Sequence, residues 1–263
     1  SGTRLRPLTC NLPKPMVPIA NRPMAYHIVN LLKKHGYKDI IFTLFYLPDS
    51  IRDYFQDGSD LGVNIDYALE EGKPLGTAGC VKAVQDKLDD TFLVISGDSL
   101  TDMDLTKALK FHKEKGSKAT LVLKRVESPF EYGLVITDGE GRIQRFLEKP
   151  SPSEVFSDTA NTGTYILEPE VLNYIVMGQE QDFSNDVFPM LLLRNEPMFG
   201  YTIEDDYWCD VGNLQMYRQA HLDLLDRKCD IDLDYVSQSE PGIWIGRNTQ
   251  VDQKARLTGP LML

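Results

Sequence analysis

Two short runs near the amino terminus hold residue types that suit an anion. Gly2-Thr3-Arg4-Leu5-Arg6-Pro7-Leu8-Thr9 sets a glycine and a hydroxyl beside a guanidinium, and Leu12-Pro13-Lys14-Pro15-Met16 fixes one ammonium between two prolines. The backbone N–H groups at Gly2 and Thr3, with Arg4, can meet a polyphosphate, while Lys14 presents a point charge with little entropy to lose. Separately, Arg4 and Arg6 read as solvated charges and the prolines as loop punctuation. Together, at this spacing, they favour a phosphate site.

Three further groups extend that chemistry. Glu70-Glu71-Gly72-Lys73-Pro74-Leu75-Gly76-Thr77-Ala78-Gly79 lies between a predicted strand and a predicted helix. Its glycines allow close approach of a planar ligand, and helix-start amides at Gly76, Thr77 and Ala78 can read a base edge or hold phosphate. Thr77 is equally suited to cap the helix. Phe92-Leu93-Val94-Ile95-Ser96-Gly97-Asp98 is an apolar strand delivering a carboxylate, and Trp208-Cys209-Asp210-Val211-Gly212 delivers a second. Asp98 and Asp210 at the ends of strands of one parallel sheet would hold Mg²⁺ against phosphate oxygens, with Gly97 allowing close approach. Tyr132-Gly133, Arg145 to Pro150 and Asn161-Thr162-Gly163 supply carboxylate, ammonium and amide groups for a compact polar ligand. Glu148 and Lys149 also read as a solvated surface pair. Asp102-Met103-Asp104 is a possible metal-holding pair whose second member could instead cap the following helix.

Other chemistries find no support. His27, His35, His112 and His221 have no metal-ligand spacing and read as surface or partly packed residues. Cys10, Cys80, Cys209 and Cys229 are too far apart for a redox or zinc motif, so the expectation is small packed thiols in a reducing cytoplasm. The 39 acidic residues against 28 basic ones leave a net charge of −11, which repels nucleic acid and anionic membrane surfaces. No apolar run approaches a bilayer span.

To position these groups, the chain reads as alternating strands and helices, an α/β class with a mostly parallel sheet. The helix carrying Met24, Ile28, Leu31 and Leu32 would be capped by Asn21 and ended by Gly36. Strands follow at 39–46, 63–69, 92–96 and 118–126, with helices at 48–56, 77–88, 104–115 and 213–227. Shorter strands at 134–137, 142–147 and 162–167 would form a lobe covering the site. At the carboxyl end, Ile245, Val251, Leu257 and Leu263 recur every six residues, with Gly246, Asp252 and Thr258 one place later. That is the period of a hexapeptide β-helix, the alternative being a terminal strand pair. The expected division is 1–235 and 236–263, and an apolar rung left open at the end would favour a homo-oligomer.

In order along nearly the whole chain, Gly2-Thr3-Arg4 through Pro15, Pro74 to Gly79, Gly97-Asp98, Tyr132-Gly133, Phe146 to Pro150, Asn161 to Leu167 and Asp210-Val211-Gly212 resemble the sugar nucleotidyltransferase family. Leu12-Pro13-Lys14-Pro15 and Pro74 to Gly79 are similar to the branch that uses GTP and mannose 1-phosphate. The resemblance implies a Rossmann-like nucleotidyltransferase core, Mg²⁺ dependence and the start of a left-handed β-helix. It implies nucleoside triphosphate and sugar 1-phosphate substrates. Arg4, Lys14 and Asp98 would be catalytic, with Gly2, Thr3, Gly76, Thr77, Ala78 and Gly97 at the nucleotide. Gly133, Glu148, Lys149 and Asn161 would meet the sugar phosphate, and Asp98 and Asp210 the metal. Thymidylyl, uridylyl or heptose-type guanylyl transfer, a metal-dependent glycosyl transfer, and a nucleotide-sugar-binding regulatory subunit are the alternatives. Family members open with a strand and a glycine-rich stretch ahead of the Ser-Gly-Thr-Arg run, so the sequence is expected to be a fragment.

Overall fold

The computed structural model describes residues 2–148, 157–233 and 235–263. In chain order the elements begin with β1 (Pro18–Ile19), β2 (Arg22–Pro23), α1 (Met24–Lys34), β3 (Asp39–Leu44), α2 (Pro48–Phe55), β4 (Asn64–Leu69) and α3 (Gly76–Lys82). Next come β5 (Phe92–Ile95), β6 (Ser99–Thr101), α4 (Leu105–Lys115), β7 (Ala119–Arg125), β8 (Gly133–Thr137), β9 (Ile143–Glu148) and β10 (Thr159–Leu167). The last are α5 (Phe188–Leu193), β11 (Met198–Ile203), β12 (Trp208–Asp210), α6 (Leu214–Leu225), β13 (Val236–Glu240), β14 (Ile243–Gly246) and β15 (Leu261–Met262). They form two compact units: Ser1–Gly36 with Gly97–Met103 and Asp206–Leu263, and Tyr37–Ser96 with Asp104–Asp205.

The first unit packs Leu5, Val17, Ile19, Met24, Leu100, Val211, Ala220 and Leu224 into one core. Helix α1 buries Met24, Ile28, Val29, Leu31 and Leu32 on the stripe that its spacing predicts, and Gly36 follows it at φ +86°. Asn21 does not cap it: Pro23 stands at the N-cap, and Ala20 and Asn21 both take positive φ in the two-residue turn joining β1 to β2. Strand β6 pairs antiparallel with β12, opposing Ser99 to Asp210. Asn213 caps α6 by accepting from the Met216 amide. Asp102 accepts from the amides of Tyr207 and Asp230, so this carboxylate of the Asp102-Met103-Asp104 run is engaged in holding loops together.

The carboxyl-terminal segment lies within this same unit. Strand β14 pairs antiparallel with β13 and parallel with β15, with Ile243 opposite Leu261 and Trp244 opposite Met262. The six-residue period does not bury all of its aliphatics, since Val251 is exposed.

In the second unit β3 and β4 form a parallel pair, and a six-stranded sheet runs β11-β7-β10-β8-β9 with β5 also on β10. The expected mostly parallel sheet is therefore corrected to a mixed one: β10 meets β5, β7 and β8 antiparallel, and only β11 joins β7 in parallel. Strands β8 and β9 form an antiparallel hairpin, which reverses the chain direction between them. Strand β10 also changes neighbours along its length. Ala160 lies opposite β8, Thr164 to Leu167 lie opposite β5, and the register against β7 shifts between Asn161 and Tyr165.

Helix α3 stops at Lys82, short of the expected 88, and residues 85–87 form a separate 3₁₀ turn. Asp104 caps α4 by accepting from the Lys107 amide. The core gathers Leu121, Leu123, Tyr165, Leu167, Phe183, Val187, Phe188 and Leu191. Among the described residues no helix is long and apolar enough to cross a membrane.

Two of the histidines expected to be surface or partly packed residues are fully buried. His112 bonds through Nδ1 to Thr120 Oγ1 and through Nε2 to Glu168 Oε1. His27 is 3% exposed, and its Nε2–H donates to the Ile19 carbonyl at 2.9 Å. Burial disfavours the charged ring and lowers its pKa from 6.5 to about 4. Above pH 6.5 both folded and unfolded chains hold a neutral ring. Between 6.5 and 4 only the unfolded chain takes up this proton, so stability falls, by on the order of 3 kcal/mol, and levels off below that window. Denaturant unfolding at about pH 7 and about pH 4 measures the loss. His27→Gln should shrink the difference by that amount, and an unchanged difference would clear His27 of the effect.

Candidate functional site

Within the first unit, three distant pieces of sequence meet at one ammonium. Lys14 Nζ lies 2.7 Å from Asp98 Oδ2 and 3.3 Å from Asp210 Oδ1. Lys14 opens a 3₁₀ turn, Lys14–Met16, entered from extended Pro13 and anchored by buried Met16 and Val17. The proline-flanked backbone is thus fixed, and only the four-carbon side chain is free to move. Asp98 immediately precedes β6 and Asp210 ends β12. Their approach comes from antiparallel pairing, start of one strand against end of the other, and not from two parallel strand ends as expected. A Cβ on Gly97 would meet the Pro15 ring at 3.7 Å, so the Asp98 loop runs beside the Lys14 turn.

Gly2, Thr3 and Arg4 form the start of a second 3₁₀ turn pinned by wholly buried Leu5. The Thr9 hydroxyl donates to the Gly2 carbonyl. A side chain at Gly2 would press on Thr9 Cγ2 at 3.0 Å and Lys14 Cβ at 3.4 Å, so this glycine serves the packing of the two loops. Thr3 and Arg4 are exposed. Sequence reasoning missed Gly212 as a site residue. A Cβ there would meet Asp210 Oδ2 at 3.2 Å and an Arg4 Nη at 3.5 Å. The bare glycine therefore lets the guanidinium and the carboxylate share one neighbourhood, and the Asp210-Val211-Gly212 spacing was its only sequence signal. The thiol of Cys209, next to Asp210, is pushed up to about 11 by burial and is no nucleophile at neutral pH.

The second unit holds the remaining expected residues in two places. On the sheet, Gly133 lies opposite Glu148 and Leu134 opposite both Leu147 and Ala160, so backbone register gathers Gly133, Glu148 and Asn161. Lys149 lies outside the described residues. The Asn161 carboxamide donates to Tyr165 Oη and Ser184 Oγ, both at 3.1 Å, and accepts from the Gly163 amide at 3.0 Å. It clamps the β10 bulge, where Gly163 takes φ +74° and a side chain would collide with Ser96. Both Nδ2 donors are used; one lone pair on Oδ1 is left for a ligand.

The second place is the Gly76 to Gly79 segment, whose glycines have a packing cause. The Gln181 carbonyl accepts from the amides of Ala78 and Gly79 at 2.9 and 3.2 Å. A Cβ on Gly76 or Gly79 would strike the backbone carbonyls of Gln181 or Gln179. Ala78 is wholly buried and offers a ligand no surface. Thr77 does not cap α3: its hydroxyl donates to Asp182 Oδ2 at 2.6 Å and accepts from the Phe183 amide at 3.0 Å. Of the expected amides at Gly76, Thr77 and Ala78, that of Ala78 is thus taken by the chain itself, leaving exposed Thr77 and half-buried Gly76 as the accessible members.

The profile of a family described as "Nucleotidyl transferase" matches residues 1–227. The chain is 39% identical over 277 aligned residues to a UTP–glucose-1-phosphate uridylyltransferase of Synechocystis, spanning 100% of this chain and 71% of that protein. It is 38% identical over 226 residues to a mannose-1-phosphate guanylyltransferase of Mycobacterium tuberculosis, spanning 85% of this chain and 62% of that one. The crystal structure of HddC from Yersinia pseudotuberculosis complexed with GMP-PN superposes with a TM-score of 0.71 at 26% identity, covering 85% of this chain and 95% of that one.

The packing cause assigned to Gly79 is testable on stability alone. Gly79→Ala forces the Gln179 backbone to shift, and the expected cost is about 2 kcal/mol of unfolding free energy. Gly139→Ala, where a Cβ meets nothing within 4 Å, should stay within about 0.5 kcal/mol of the parent. Equal denaturant midpoints for the two variants would refute the packing account.

Proposed function

We propose that this chain, which belongs to the sugar nucleotidyltransferase family, joins a nucleoside triphosphate to a sugar 1-phosphate, with GTP and mannose 1-phosphate as the assigned pair. A phosphate oxygen of the sugar 1-phosphate attacks the α-phosphorus; the bond from that phosphorus to the bridging oxygen breaks, and pyrophosphate leaves with the electron pair. No covalent enzyme intermediate and no protein base is needed, so the work is charge compensation and alignment. The observation that carries this reading is the Lys14 ammonium held by Asp98 and Asp210 beside the Arg4 turn.

Lys14 and Arg4 would offset charge on the triphosphate, Arg4 from a turn fixed by buried Leu5. Gly133, Glu148 and Asn161, gathered by strand register, would meet the sugar phosphate. The donor set fits a Mg²⁺ ion. Asp98 Oδ2 and Asp210 Oδ1 share one cation and so lie within about 6 Å of each other, and the described residues hold no cluster of three or more metal-ligating side chains. Two carboxylates form a partial shell for an ion that keeps waters and takes phosphate oxygens. When bound, such an ion neutralises charge developing on the phosphate oxygens.

The guanylyl assignment draws on the 38% identical relative and on the solved neighbour complexed with GMP-PN. Uridylyl transfer to glucose 1-phosphate is the second reading, favoured by the 39% identical relative that spans the full chain. Pyrophosphate release from GTP or UTP crossed with mannose or glucose 1-phosphate separates them; fastest turnover of UTP with glucose 1-phosphate would replace the first reading.

We assign the carboxyl-terminal segment to the first coil of a left-handed β-helix. The return of β15 onto β14 eighteen residues on, from 243 to 261, equals three six-residue sides. Hydrogen exchange should find the Gly246, Leu261 and Leu263 amides, each bonded across the coil, protected together. Fast exchange at Leu261 and Leu263 alone would remove the coil.

Lys14→Ala should raise the activation barrier by about 2 to 4 kcal/mol, more than it lowers stability, because the loop opens no core cavity and the unpaired Asp98 and Asp210 stay partly solvated. Steady-state pyrophosphate release checks the first and calorimetric melting the second. Parent-like turnover would exclude Lys14 from the site.

A further inference from the structure

Lys14 does more in this arrangement than wait for a phosphate. It uses one oxygen from each carboxylate, Oδ2 of Asp98 at 2.7 Å and Oδ1 of Asp210 at 3.3 Å. Its side chain is 17% exposed, whereas each carboxylate is 37% exposed. The Lys14 side chain is thus less exposed than either of the carboxylates that hold it. The described residues supply no other ion-pair partner to either carboxylate, and Arg4 makes no ion pair with them. Without Lys14 two negative charges would face each other across a few ångströms, which is unfavourable.

We infer that Lys14 is the built-in counter-ion of the Asp98–Asp210 pair, and that a divalent cation must displace it to bind there. This inference rests on the metal reading of that pair given above. An ion on the same two oxygens would sit within a few ångströms of the ammonium, and two positive charges so close repel. Only the side chain needs to move, since the Pro13 to Val17 backbone is anchored. The displaced ammonium remains on a short tether, able to reach phosphate oxygens arriving with the nucleotide. Metal and Lys14 therefore oppose each other in the nucleotide-free protein and act together once triphosphate is bound, so deleting Lys14 has effects of opposite sign on the two equilibria.

Mn²⁺ binding to the full chain, followed by the electron paramagnetic resonance signal of the free ion, tests this without any turnover. In the absence of nucleotide, Lys14→Met and Lys14→Gln should bind Mn²⁺ on the order of tenfold more tightly than the parent, and Asp98→Asn should bind it more weakly. With Mg²⁺ present, the same Lys14 variants should bind a non-hydrolysable triphosphate more weakly than the parent. In the parent itself, reductive methylation of Lys14, read by mass spectrometry, should accelerate severalfold on adding Mg²⁺ alone. Unchanged or weaker Mn²⁺ binding in both Lys14 variants, with Asp98→Asn still impaired, overturns the competition and leaves the metal reading standing. Mn²⁺ binding indifferent to both Asp98→Asn and Asp210→Asn removes the metal reading and the inference with it. Methylation indifferent to Mg²⁺ also overturns the competition, whatever the folding of the variants.

Discussion

One ammonium between two carboxylates is the constraint to which much of the first unit answers. Asp98 and Asp210 are brought together by the antiparallel pairing of β6 with β12, an arrangement that concentrates negative charge. Lys14 makes that concentration tolerable, and its own position follows from the proline-flanked turn anchored by Met16 and Val17. Around this triad, Gly2 and Gly212 are places where a side chain would press on Thr9 and Lys14, or on Asp210 and Arg4. The glycines therefore serve charge placement indirectly, by letting loops close around it. Half-burial strengthens each of these interactions relative to water and keeps the carboxylates reachable.

The second unit solves a different problem, that of ending one strand pairing and starting another within β10. The bulge between Asn161 and Tyr165 lets the strand face β8 at one end and β5 at the other. A backbone irregularity of this kind leaves polar groups to satisfy, and the Asn161 carboxamide bonds the Gly163 amide while tying the bulge to Ser184. Asn161 is thus a structural clamp first, and any contact with a ligand draws on the one lone pair left to it. The same economy appears at Gly76 to Gly79, where the Gln181 carbonyl takes the amides of Ala78 and Gly79.

What was legible in the sequence follows the range of the forces involved. Apolar periodicity marked α1, because burial of a stripe is a local pattern, and the strand–helix alternation placed α4 and α6 closely, where Asp104 and Asn213 cap by side-chain reach of a few residues. Lys14, Asp98 and Asp210 were legible as charges near glycines and strand ends, yet their mutual geometry was not, since strand direction depends on pairings between distant segments. The mixed sheet escaped for the same reason. Gly76 and Gly79 were ambiguous because a glycine records that something comes close, and sequence does not say whether it is a ligand or the Gln179–Gln181 backbone. His27 and His112 read as unremarkable because a buried imidazole needs only one or two acceptors, here a carbonyl and a carboxylate far along the chain or just before it.

The choice of cation at each position carries a final argument about how the charges act. A guanidinium is a planar fork that pairs best with one carboxylate or phosphate at a time and stays charged under all ordinary conditions. An ammonium has three donors arranged around a point and can bridge two separate carboxylates, as Lys14 does with Asp98 and Asp210. It can also change partners by rotating a flexible stem, at low cost in directional bonding. Arg4, on a rigid turn beside Gly212 and without an ion pair among the described residues, suits an anion that arrives in one fixed place. Lysine at 14 and arginine at 4 are therefore not interchangeable: the first can yield its carboxylates to another cation and follow the charge to a substrate, and the second can only wait for it.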